Sequence, residues 1–246
     1  MHKVQRSVLS LSVIRVELRG AYMQDIPCRI PLPKAWLDAA KLAYSEMYDD
    51  NPADISYIMP SAPVFDVFRT LLQRSDQIAS ELQRDSDDVP VWVNIAIYSL
   101  LNSRPLQNVT SQGEVANASI EETCRLGLLL FLGAVWCMRG AAPTYTWTIL
   151  EKLYEMSKMA CIKETWHGEL WRVQVWLFSI AALEVATIAD AEKVQSHFVE
   201  LLCGITEDYS NLLEISKSVL GGIPRLYEVG MSALCEDVSD MRNSVH

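Results

Sequence analysis

One segment constrains this chain more than any other: Leu126 to Met138, thirteen residues without a charge, bounded by Arg125 and Arg139. Together with Cys124 it is apolar on nearly every face of a helix. Such a helix is stable only when other helices surround it. The run is shorter than the roughly 17–25 residues that span a bilayer, so it reads as the buried helix of a protein core. A second segment, Glu164–Ala189, has the same character. Trp166, Leu170, Val173, Leu177 and Ile180 line one face, and Trp171, Val175, Phe178, Ala182 and Val185 line another. Two helices of this kind imply a multi-helix domain built around them.

The remaining helices follow from 3.6-residue periodicity. Pro33 opens one running to about residue 48, ended by the Asp49-Asp50-Asn51-Pro52 turn. The next begins at Ser61 and Pro63. Val64, Phe68, Leu71, Ile78 and Leu82 form its stripe, widened by Phe65, Leu72 and Ala79, and polar residues fill the other face. A third, about 89–102, carries Trp92, Ile95, Ala96 and Leu100. Residues 103–118 read as an exposed loop. Ser119 with Glu122 three positions on has the form of a capping box at the start of the first central helix. An amphipathic helix at about 144–160 separates the central pair. Helices at about 190–203, 207–220 and 224–240 follow, with Gly221-Gly222 and Pro224 as a stop and restart. No repeat of 20–50 residues is present. The expectation is an all-α fold: one domain of eight or nine helices over 33–246, preceded by a poorly defined basic segment, 1–32. In that segment Val8–Leu18 partly alternates like a strand or a presequence.

Charge narrows the function classes. Residues 1–35 carry six Lys/Arg against Glu17 and Asp25, a net of +4, and the rest carries 15 basic and 29 acidic residues, a net of −14. So acidic a body repels phosphate backbones, and direct nucleic-acid binding is not expected. Arg15, Glu17 and Arg19 interrupt the only N-terminal apolar stretch, so no signal peptide is expected and the chain reads as soluble and intracellular. The six cysteines are widely spaced with no C-x-x-C pair, and four lie in apolar helical segments as small hydrophobes.

Catalytic motifs are absent: no G-x-S-x-G, G-x-G-x-x-G, Walker loop, H-E-x-x-H or S-x-x-K. His197 and Glu200 lie one turn apart, but two ligands do not make a metal site. His167 stands near a helix start, where local hydrogen bonding accounts for it. Asp49, Asp50 and Asp54 could serve a Mg²⁺-dependent prenyl-diphosphate enzyme, although the D-D-x-x-x-D spacing and Pro52 fit an exposed turn better. No catalytic residue, no metal ligand and no cofactor is assigned. The last helix carries Tyr227, Met231, Leu234, Val238 and Met241 at 4–3–4–3 spacing, a stripe that packs on the bundle or, alternatively, forms a partner contact.

Ser119–Trp136, SIEETCRLGLLLFLGAVW, resembles a segment of the regulatory domains of fungal zinc binuclear-cluster transcription factors, where acidic residues precede Cys-Arg and a Leu/Ala-rich run. Glu169–Ala186, ELWRVQVWLFSIAALEVA, is similar to a later helix of that family, with Gln195-Ser196-His197-Phe198 following. The resemblance spans about 90–203. It implies an all-α effector region that acts in the nucleus on transcription, through a protein partner or self-association, with room for a small-molecule effector. The family's cysteine cluster has no counterpart here, and no Trp follows Trp176. The chain is therefore expected to be a cluster-less relative or a piece of a longer factor, with no contact to nucleic acid or membrane of its own. The alternatives are a helical interaction or small-molecule-binding module outside transcription, and the prenyl-diphosphate enzyme.

Overall fold

The computed structural model describes residues 2–36, 38, 63–73, 89–108, 112–138, 146–159, 166, 170–205, 215, 219 and 228–245. Every regular element among them is helical: α1 (His2–Gln24), α2 (Pro63–Gln73), α3 (Val91–Asn102), a 3₁₀ turn (Pro105–Asn108), α4 (Gln112–Met138), α5 (Trp147–Ser157), α6 (Leu170–Val185), α7 (Glu192–Ile205) and α8 (Glu228–Val245). The fold is all-α.

Helices α4 and α6 are the two buried central helices. From Leu126 to Leu132 every residue of α4 is buried, and so is every residue of α6 from Val173 to Leu183. They meet at Gly127, where a Cβ would stand 2.1 Å from Leu177 Cδ2. With Leu177 in this rotamer, only a residue without a side chain allows that approach. Phe68 of α2 and Phe131 of α4 both pack on Trp176 of α6, at ring-centroid distances of 5.5 and 5.7 Å. Around this centre α2, α3 and α5 pack on α4, α7 packs most extensively on α6, and α8 crosses α7 and α6. The expected stripe of α2 is buried at Val64, Phe65, Phe68 and Leu71. Its continuation past residue 73 lies outside the described residues, as do most of the helix expected at 33–48 and the Asp49, Asp50 and Asp54 turn.

Two expectations are corrected. Residues 2–24 form a helix rather than a strand-like or ill-defined segment, and Leu18, Ala21 and Tyr22 belong to the main core. The alternation arises because apolar residues occupy both faces of α1. Ile14, Leu18, Ala21 and Tyr22 point inward, while Val13, Val16 and Met23 point outward. The second correction concerns α4, which begins at Gln112, not at Ser119. Ser119 and Glu122 are buried inside the helix. Apart from Gly113, no residue between 112 and 119 opposes helix, and the Glu122 carboxylate is engaged by Arg125 instead of reaching back to a cap.

Candidate functional site: a buried ionic centre and an acidic groove

Helix α1 ends in a Schellman turn. Asp25 adopts φ 47°, with Asp25 N donating to Tyr22 O at 3.1 Å and Ile26 N to Ala21 O at 3.0 Å. Glycine usually takes such a left-handed position. Here the carboxylate justifies the strain, because the turn aims it into the bundle. Arg125 of α4 grips it with two parallel bonds, Nη1 to Oδ1 at 2.7 Å and Nη2 to Oδ2 at 3.0 Å. The same guanidinium holds Glu122 through Nε to Oε2 at 2.7 Å and Nη2 to Oε1 at 2.5 Å. Arg104, just beyond α3, reaches Asp25 Oδ1 at 3.2 Å and its carbonyl oxygen at 2.8 Å. Lys152 of α5 donates to Asp25 Oδ2 at 2.6 Å. One carboxylate thereby joins α1, α4, α5 and the segment after α3.

Burial alone would raise the pKa of Asp25. The hydrogen bond and charge of Arg125, then Lys152 and Arg104, outweigh it and hold the carboxyl well below the ordinary range. Arg125 is likewise opposed by burial, yet its two carboxylate partners keep it firmly protonated. A locked pair of this kind neither gives nor takes a proton near neutral pH, so the centre is structural rather than an acid–base device.

The ionic centre adjoins a second anchor. Tyr22 Oη donates to Leu129 O at 2.9 Å, and the ring sits 5.6 Å from that of Trp136. Burial, followed by the charges of Glu184, Cys137 and Asp25, pushes the phenol well above its usual pKa, so it remains a donor. A Cβ at Gly133 would lie 2.0 Å from this hydroxyl. Cys124, beside Arg125 in the sequence, is fully buried, and burial raises its thiol far above the reactive range. Elsewhere the Glu121 carboxylate accepts from Val64 N at 3.4 Å, placing negative charge at the N-terminus of α2.

His197 lies close to Ser157, with Nε2 2.7 Å from Oγ, but the pair is not an activated nucleophile. The Ser157 hydroxyl donates to Tyr154 O at 2.8 Å, so the imidazole must donate to the serine. Ser157 is fully buried, and Tyr154 closes edge-on over the ring. Glu200 is exposed. Among the described residues no three His, Cys, Asp or Glu side chains are placed to hold a metal ion, and no helix is long and apolar enough to cross a membrane. Of the Trp166–Glu169 segment only Trp166 is described, and it is buried.

An open groove of about 600 Å³ runs between α7 and α8. Glu192, Asp237 and Asp240 border it, Gln195 and Ser196 add polar groups, and Val199 and Met241 supply an apolar floor. None of the three carboxylates belongs to an ion pair among the described residues. The α8 stripe lies largely elsewhere: Met231, Leu234 and Val238 are buried in the core, Met241 is partly buried against it, and Tyr227 is outside the described residues. That stripe packs on the bundle.

Sequence reasoning missed the ionic centre and the groove. The signal for the first was Arg125 itself, a charge adjoining a run apolar on all sides, which demands a buried partner. No family model, curated protein or solved structure matches the chain.

Proposed function

We propose that this chain is a regulatory domain of the kind found in the effector regions of fungal zinc binuclear-cluster transcription factors, working in the nucleus through protein partners and without catalysis of its own. The observation that carries the reading is the placement of the Glu121-Glu122-Thr123-Cys124-Arg125 motif. These residues sit inside the longest helix among the described residues, with Cys124 sealed in the core and Arg125 at the hub of the ionic centre. A Cys-Arg pair used in this way is architectural, which suits a domain whose output is a surface presented to another protein. The −14 charge of residues 36–246 argues that DNA is reached through a partner.

The test is tethering. The chain is fused to an unrelated DNA-binding module and placed upstream of a reporter in a fungal host. A several-fold change in reporter output, up or down, is expected. Unchanged output from a fusion that is folded, nuclear and bound at the promoter overturns the reading. The acidic groove favours a second reading, a helical interaction module outside transcription, and the same null result would direct attention to it.

A further inference from the structure

Part of the outward face of α1 is open to solvent. Val13, Val16 and Met23 are 54%, 73% and 37% exposed, and nothing lies within 4 Å of where a Cβ of Gly20 would stand. These four positions follow one another at spacings of three, four and three, which places them on one helical face about 15 Å long. The face lies opposite Ile14, Leu18, Ala21 and Tyr22, which anchor α1 in the bundle. Arg15 is exposed along its border, and α1 as a whole carries Lys3, Arg6, Arg15 and Arg19 against Glu17.

Two copies of this face would not pair with each other, because the arginines would be brought together. The groove between α7 and α8 offers the complement. Glu192, Asp237 and Asp240 are exposed carboxylates with no ion-pair partner among the described residues, and Val199 and Met241 form an apolar floor. A basic helix with a narrow apolar stripe matches that lining in both charge and hydropathy. We infer that the chain self-associates head to tail, the outer face of α1 in one copy seating in the acidic α7–α8 groove of the next.

The contact is heterologous, so it propagates into rings or short chains and does not stop at a symmetric pair. A helical face only about 15 Å long is small beside the roughly 800 Å² per partner of a standard interface, so the expected association is weak and depends on salt. This inference is independent of the transcriptional reading, and its test needs neither a promoter nor a second protein.

Sedimentation velocity and small-angle scattering of the full chain, over a concentration series at about 0.05 M and about 1 M salt, provide the measurement. The expected result is an average mass that rises with concentration at low salt and collapses towards the monomer at high salt. Arg15→Glu and the pair Asp237→Lys/Asp240→Lys replace exposed side chains and should melt like the parent. Each should be monomeric alone. Mixed, they should associate again, because the unaltered α1 of the groove variant meets the unaltered acidic groove of the Arg15→Glu variant. A parent that stays monomeric throughout overturns the inference. So does association that survives either charge reversal, or a mixture of folded variants that fails to associate.

Discussion

Replacing Arg125 with Met tests whether the ionic centre holds the fold. Methionine retains much of the side-chain volume while removing the guanidinium that bonds Asp25 twice and Glu122 twice. Breaking a buried pair by deleting one partner costs about 3–5 kcal/mol, because the surviving charge is stranded. Asp25 keeps Arg104 and Lys152, and the Lys152 side chain is 44% exposed, so the lower end applies, about 3 kcal/mol. For a chain of this size that corresponds to a fall in Tm of about 6–12 °C. The pH dependence identifies the cause. Asp25 has a depressed folded pKa, so its contribution is complete above the unfolded value of about 3.9 and disappears as pH falls through the folded value. The difference between parent and Arg125→Met should therefore be constant above about pH 5 and shrink below about pH 4. Urea unfolding across pH provides the assay, with Asp25→Asn and the double variant completing a cycle whose coupling should exceed about 1 kcal/mol. A loss below about 1 kcal/mol at neutral pH, or one independent of pH down to the acid limit, would refute the assignment of Asp25 as its partner.

Gly133→Ala should destabilise by about 2 kcal/mol in the same assay, since its Cβ meets a phenol oxygen that is itself fixed by a hydrogen bond to Leu129 O. Gly127→Ala should cost less, because its nearest atom is the end of the Leu177 side chain, which can rotate away; the opposite order would contradict the packing described at Tyr22. Deleting residues 228–246 removes the burial of Met231, Leu234 and Val238, worth about 5–9 kcal/mol in sum. Circular dichroism melts and dye binding should show a molten or insoluble product, and a cooperative melt would mean that α8 is dispensable to the core.

The central helices were legible because their residues are apolar on all sides, a pattern only burial explains. Segments with one clean stripe, such as Val64, Phe65, Phe68 and Leu71, were equally readable. Helix α1 was not, since a second apolar set at Val13, Val16 and Met23 blurs its periodicity into apparent alternation. The start of α4 misled because Ser119 and Glu122 satisfy the spacing of a capping box, whereas both are buried inside the helix and the Glu122 carboxylate binds Arg125. The ionic centre joins positions 25, 104, 122, 125 and 152, and no local pattern reveals pairing over such separations. The groove was hidden for the same reason: Glu192 and Asp237 belong to different helices, and only their packing makes them neighbours.

These misses share a cause that bears on how the molecule is organised. The N-terminal segment reads as a poorly defined basic end, with a net charge of +4 over residues 1–35. Among its described side chains, however, the one fully inserted charge is the acidic Asp25, which draws cations from the segment after α3, from α4 and from α5. Segregation follows from this. The carboxylate goes inward, where three cations compensate its desolvation, and Arg15 stays outward beside Val16. On α7 and α8 the sorting is reversed, with Phe198, Leu202, Leu234 and Val238 turned to the core and the carboxylates Glu192, Asp237 and Asp240 left in solvent. Two surfaces of opposite sign thus arise from the same requirement, that each helix bury its apolar face and compensate any charge it takes inside.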